Sequence, residues 1–305
     1  MRVPAESGTR ERGRVAERLA ALLARKVTAE DTGPLGAFAT QLLARAQPYV
    51  GTLADEEVAQ LVLSAFRFFQ SPGPLPRVRV LTPTYVDEGW DAPGTVIETC
   101  IGDRSFIVDT IQDELRAHGL EPRALLHPIL AVTRDPTGRA TRVEPPMHGA
   151  TRESFLHIVV PRLVDAERRI ALESAIRGRL DEVVLVTEDF GLALARAQAM
   201  AAEFEQLGRS RDPRIAAEAT AVGDFLRWLV DGGFVFLGYR EYAHVDLTDG
   251  RAVQLRAGTG LGLLRREERS TFRMPQLVET LSPVARRRVV GGRLLTVAKT
   301  HALAP

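Results

Sequence analysis

The chain has 305 residues, 45% hydrophobic and 26% charged, and its 40 Lys and Arg against 39 Asp and Glu give a formal net charge of +1. That length exceeds one compact core and predicts about two domains with connecting elements, while the composition excludes a disordered or fibrous chain. The balanced charge supplies no field to draw the protein onto nucleic acid or an anionic membrane, and the short basic runs Arg265-Arg266 and Arg286 to Arg288 read as solvated faces.

Through residues 1–73 apolar positions recur three and four apart: Val15, Leu19, Leu22 and Leu23, then Leu35, Phe38, Leu42 and Leu43, then Val58, Leu61, Val62 and Phe66. The spacing predicts three successive amphipathic helices. SPGPLP, Ser71 to Pro76, ends this region near residue 73, because each proline removes a backbone donor and biases the residue before it away from helix.

The periodicity then changes. RVRVLT, 77–82, alternates Arg with Val, and TVIETCI, Thr95 to Ile101, is rich in β-branched residues, so both read as strands. Ser105 to His118 carries Ile107, Ile111 and Leu115 four apart, with Gly119 placed for a left-handed helix cap. ALLHPILAVTRD, 124–135, and SFLHIVV, 154–160, read as two strands joined by a hairpin that turns at Pro136-Thr137-Gly138, and Pro128 predicts an edge or a bulge. A helix follows Asp165, with Leu172, Ile176 and Leu180 on one face, and EVVLVT, 182–187, reads as a last strand. Strand, helix, strand, strand, helix, strand is the ferredoxin-like split βαβ, in which both helices cover one face of an antiparallel sheet and the other face needs a separate cover.

Phe190, Leu194, Ala197, Ala201 and Phe204, followed by Ile215, Ala219, Val222, Leu226 and Leu229, predict a helical hairpin, its second helix opened by Asp212-Pro213 and closed by Gly232. GFVFLGYREYAHV, a turn at Thr248-Asp249-Gly250 and AVQLRA predict a β-hairpin, and RLLTVAKT, 293–300, another strand with no closing element after it. The expected class is α+β: a helical region 1–73, a ferredoxin-like domain 75–188, a helical hairpin 189–232 and an incomplete β-rich segment 233–305.

Chemistry is sparse. The single cysteine, Cys100, excludes an internal disulfide and a Cys-based zinc site and reads as an inert strand residue in a reducing compartment. No apolar run is long enough to span a bilayer and no signal-peptide core follows the start, which predicts a cytoplasmic protein without a membrane partner. GTGLGLL, Gly258 to Leu264, fails the dinucleotide fingerprint because the required third glycine is Leu263 or Arg265, leaving a plain glycine-rich turn. His127 and His157 fall near the middles of two neighbouring strands and could face each other, but no acidic third ligand accompanies them and no metal is assigned. No catalytic constellation is found.

Gly102-Asp103-Arg104-Ser105 stands between a strand and a helix. Asp103 or Ser105 can cap that helix, and its free first-turn amides with the Arg104 guanidinium are also a candidate site for the carboxylate of a small effector.

From Asp103 to Ile111 the sequence resembles the opening of an ACT domain. The series RVLTP, GW, TVIE, DRSFIVDTIQDEL, GL, HPILAVTRD, ESFLHI, FLRWLVDGGFVFLGYREY and GTGLGLLR, in that order from about Phe66 to Arg265, resembles the N-terminal region of the large NAD-specific glutamate dehydrogenases. The resemblance implies that 75–188 is an ACT-like domain. It implies a parent enzyme that oxidises L-glutamate with NAD to 2-oxoglutarate and ammonia through dehydrogenase domains downstream in the same chain. This segment would then bind no NAD and hold no catalytic residue, since the family's lysine, aspartate and nucleotide-binding domain have no counterpart here. Its role would be regulation and assembly in glutamate catabolism, as a cytoplasmic homo-oligomer with an amino-acid effector at Gly102, Asp103, Arg104 and Ser105. The alternative is a free-standing ACT-like amino-acid sensor or scaffold without catalysis, against which the unclosed β-rich end argues, since an exposed edge invites association.

Overall fold

The structure, a computed structural model, describes residues 21–290 apart from 45 and 52. Most of the predicted first helix and the whole strand at 293–300 lie outside the described residues. The chain divides into two compact units, 1–180 and 181–305.

In the first unit, helix α1 (Ala29–Leu43) is followed by helix α2 (Asp55–Phe69). Glu57 reaches back to accept the Ala54 amide at 2.9 Å, and Asp55, Glu56 and Glu57 set negative charge at the positive end of α2. Then come strands β1 (Arg77–Leu81) and β2 (Thr95–Gly102), helix α3 (Ile107–Ala117), strands β3 (Ala124–Leu126), β4 (Ile129–Arg134), β5 (Ala140–Glu144) and β6 (Arg152–Val160), and helix α4 (Ala166–Leu207). The strands form one antiparallel sheet in the order β1-β2-β6-β4-β5, with β3 also pairing β6.

The expected α+β architecture is present, with one element corrected. EVVLVT is not a strand: 182–187 lies inside the 42-residue helix α4. The buried positions Leu172, Ile176, Leu180, Val183, Val186, Ala193, Ala197 and Ala201 keep helical spacing straight through it, so packing overrides the β-branched composition. The place beside β2 that a last ferredoxin-like strand would fill is taken instead by β1, from before the domain's first helix.

Pro128 makes no bulge. Leu126 pairs with His157 and Ile129 with Ser154, one unbroken register, and the Phe155 amide donates to the Pro128 carbonyl at 3.1 Å. Proline is tolerated because β5 pairs only from Ala131 onward, so among the described residues no strand lies beside the outer side at Pro128.

Both faces of the sheet are covered. Val96, Cys100, Leu126, Leu130, Val132, Phe155 and Val159 share a core with Leu35, Phe38 and Leu42 of α1 and Leu61, Val62, Phe66 and Phe69 of α2. The N-terminal helices are therefore the separate cover that the sequence called for. At its centre the Phe38 ring lies 5.0 Å from Phe69, 5.1 Å from Phe155 and 5.6 Å from Phe66. Alternation sends Ile97, Ile101, Leu156 and Ile158 to the opposite face, that of α3 and α4, whose Ile107, Ile111, Leu115, Leu172 and Ile176 are also buried.

In the second unit, α4 ends at Leu207 and helix α5 (Pro213–Trp228) begins with the Asp212 side chain accepting the Arg214 amide at 2.9 Å. Ala201, Leu226 and Leu229 pack together, and the chain turns at Gly232 with φ 91°, as the hairpin reading expected. The β-rich part comprises β7 (Gly238–Tyr239), β8 (Tyr242–Leu247), β9 (Gly250–Leu255), β10 (Leu261–Gly262), β11 (Gln276–Leu277) and helix α6 (Pro283–Val290). β8 and β9 form the predicted hairpin, which starts at Tyr242 rather than at Gly233.

Candidate effector site

Chain leaving β2 must reverse into α3 within the turn Gly102-Asp103-Arg104-Ser105. The Asp103 amide donates to the Arg152 carbonyl at 2.9 Å, one step past the last β2–β6 pair, Gly102 with Glu153. The Asp103 carboxylate lies 3.2 Å from the Arg152 guanidinium. Arg104 folds back so that Nε donates to the Gly102 carbonyl at 3.0 Å, and a Cβ at 102 would stand 3.2 Å from that guanidinium. Ser105 is exposed.

The capping expectation is corrected. The residue before α3 is Phe106, in the left-handed region at φ 72°, and it makes no side-chain cap. Neither Asp103 nor Ser105 takes that role, because the left-handed step at Phe106 starts the helix at Ile107 and the Asp103 carboxylate faces Arg152 instead. A bulky residue at positive φ is uncommon. Phe106 is the one non-glycine residue in that region among the described residues.

The two histidines are on opposite faces. His127 Nε2 lies 2.8 Å from Ser154 Oγ, whereas His157 stands across from Leu126 and is fully buried, with the Tyr49 and Trp90 rings 5.7 and 6.3 Å from its own. Among the described residues no group of three or more His, Cys, Asp or Glu side chains is placed to hold a metal.

Sequence reasoning missed the polar groups in the layer between the sheet and the N-terminal helices. Glu98 accepts from Arg79 Nε at 2.7 Å and lies 2.9 Å from His157 Nδ1. Arg79 also donates to the Ser64 carbonyl and hydroxyl of α2, each at 2.9 Å, and His157 Nε2 is 3.5 Å from the Tyr49 hydroxyl. Beside them Glu153 takes Arg134 on both oxygens at 2.7 Å. Arg77 and Arg134 both donate to the carbonyl of Phe69, at 2.9 and 3.2 Å, on the negative end of α2. The sheet thus grips α2 through three guanidiniums. Burial alone would raise the Glu98 carboxyl, but the His157 hydrogen bond and the Arg79 charge outweigh it and hold the group below its ordinary value.

Cys100 belongs to this layer. Its thiol donates to Glu153 Oε2 at 3.3 Å, and burial, then the Glu153 charge, pushes it up to about 12, far from a reactive thiolate.

The glycine-rich segment of the second unit is a packed turn. The Gly262 amide donates to Asp189 Oδ2 at 2.7 Å, and Arg265 holds the same carboxylate at 2.6 and 2.8 Å. A Cβ at Gly262, with φ 56°, would stand 2.3 Å from the Leu237 carbonyl, so replacing Gly262 with Ala is expected to destabilise the second unit, seen as a lower midpoint in thermal unfolding.

Residues 38–176 match the family described as glutamate dehydrogenase, ACT1 domain. The NAD-specific glutamate dehydrogenase of Pseudomonas aeruginosa is 31% identical over 220 residues, 70% of this chain and 13% of the relative. That of Halomonas elongata is 34% identical over 198 residues, 62% of this chain and 12% of the relative. That of Mycobacterium tuberculosis is 29% identical over 175 residues, 56% of this chain and 10% of the relative. The match thus spans 10 to 13% of the length of these curated relatives. Residues 38–176 are accordingly similar to the ACT1 domain of glutamate dehydrogenases, and the chain resembles the ACT-like N-terminal region of the large NAD-specific family.

Proposed function

We propose that this chain is the regulatory and assembly part of an NAD-dependent glutamate dehydrogenase whose dehydrogenase domains lie downstream, the whole enzyme converting L-glutamate and NAD to 2-oxoglutarate and ammonia. The observation that carries this reading is the extent of the likeness: 70% of the chain aligns with a stretch that is 13% of the relative's length. The segment itself binds no nucleotide and holds no catalytic group. It acts in the cytoplasm, in glutamate catabolism, as part of a homo-oligomer. The test is the native gene product: its intact mass should be several times that of the 33.4 kDa chain, and it should reduce NAD only when glutamate is present. A product that ends at Pro305 and lacks this activity removes the enzyme reading.

Within that role, Gly102, Asp103, Arg104 and Ser105 hold the carboxylate of a small amino-acid effector. Two features support this assignment. Helix α3 opens without a side-chain cap, so no capping side chain competes for its first-turn amides, and the Arg104 guanidinium belongs to the turn while that of Arg152, on β6, reaches its Asp103 carboxylate. Replacing Arg104 with Ala is expected to abolish the thermal shift produced by the effective member of a panel of free L-amino acids, while leaving the melting temperature without amino acid nearly unchanged. A lower melting temperature with the response intact would assign Arg104 to the structure of the turn alone.

A further inference from the structure

Strand β1 is the outer strand of its sheet, yet its free edge is not bare. The backbone groups of Val78 and Val80 point away from β2, and side chains of α4 meet them. Glu173 Oε2 accepts the Val80 amide at 3.1 Å, and Arg177 donates to the Val78 carbonyl at 3.1 Å and to the Pro76 carbonyl at 3.4 Å. The two side chains are one helical turn apart and 3.5 Å from each other. A carboxylate therefore stands where a neighbouring strand would offer a carbonyl, and a guanidinium stands where it would offer an amide.

The far edge carries the same kind of device. On β5, the Ala140 amide donates to Gln70 Oε1 at 2.7 Å and Gln70 Nε2 donates to the Ala140 carbonyl at 3.0 Å, so one side-chain amide satisfies both outward groups. Unpaired edge groups are a template for adding another strand, and proteins that stay unpaired there block them.

We propose that Glu173 and Arg177 act as a surrogate strand that keeps the β1 edge from pairing with the β1 edge of a second copy of this chain. The second copy is the fitting occupant because antiparallel self-pairing about a two-fold axis presents the same outward groups from both sides. A register centred on Val80 sets Arg79 opposite Leu81 of the other copy, so it brings no two like charges directly across from each other.

Sedimentation velocity and hydrogen exchange on the chain carrying Glu173→Ala and Arg177→Ala test this. The double variant should show a concentration-dependent species of twice the parent mass. Its Val80 amide should exchange about tenfold faster than the parent's in dilute solution, as expected for the loss of one hydrogen bond, and become protected again as concentration rises. Adding Val80→Pro removes the outward amide without removing a bond to β2, and should return the parent mass. A double variant that keeps the parent mass at every concentration overturns the proposal, as does association that survives Val80→Pro. If the double variant fails to fold by circular dichroism, Arg177→Met alone keeps the aliphatic stem, leaves the Pro76 and Val78 carbonyls without their donor, and is judged by the same readouts.

Discussion

Replacing Glu98 with Ala should lower the stability of the first unit by about 3–5 kcal/mol, the usual cost of removing one partner from a buried charge pair. The Glu98 side chain is 2% exposed and that of His157 0%, so water cannot stand in for the lost carboxylate, and Arg79 loses the acceptor that aligns it with Ser64. Denaturant titration should show the midpoint falling with the slope unchanged. Acid adds a second signature. The folded-state value of Glu98 is depressed below the ordinary carboxylate value near 4.5, so its contribution is present above that value and is lost as pH falls through the folded one. The difference between parent and variant should therefore narrow on acidification below about pH 4.5. Parallel pH profiles would show that Glu98 contributes by shape and not by charge.

Phe38 to Ala should cost a comparable amount, about 3–5 kcal/mol, by leaving a cavity where α1 meets both α2 and the sheet. The ring is 0% exposed and touches the Phe66, Phe69 and Phe155 rings, so no single neighbour can close the gap by changing rotamer. Chemical unfolding of the variant checks this. A loss under about 1 kcal/mol would mean that α1 adds little to the sheet's stability.

Much of this architecture was legible because β-branched alternation and helical spacing are local signals. β2 and β6 stand where Thr95 to Ile101 and Ser154 to Val160 placed them, and Gly232 closes its helical hairpin. Two features were not legible. Val183, Val184 and Val186 look like a strand in a six-residue window, and their helical character emerges only when the buried positions from Leu172 to Ala201 are taken together. Arg77 and Arg79 look like a wet face, since antiparallel sheets commonly have one, but here both faces are covered and the arginines point into the interface with α2. A signal for that layer existed. Glu98, with its neighbours Val96 and Cys100, and His157, with Phe155 and Val159, share one alternation phase, and the observed register sets Glu98 opposite His157. For the candidate effector turn, the strand–helix junction was visible, whereas the left-handed Phe106 was not, because nothing in a phenylalanine announces positive φ.

The position of Cys100 gives this protein a built-in clock. It is the chain's one thiol, and it is sealed in the core between the sheet and the N-terminal helices. A disulfide-exchange reagent can reach it only when that core opens, so its labelling rate follows the opening of the layer between the sheet and the N-terminal helices without any added probe. Any amino acid that tightens or loosens the N-terminal helices would change the pace of that clock, even where it leaves the overall melting temperature untouched.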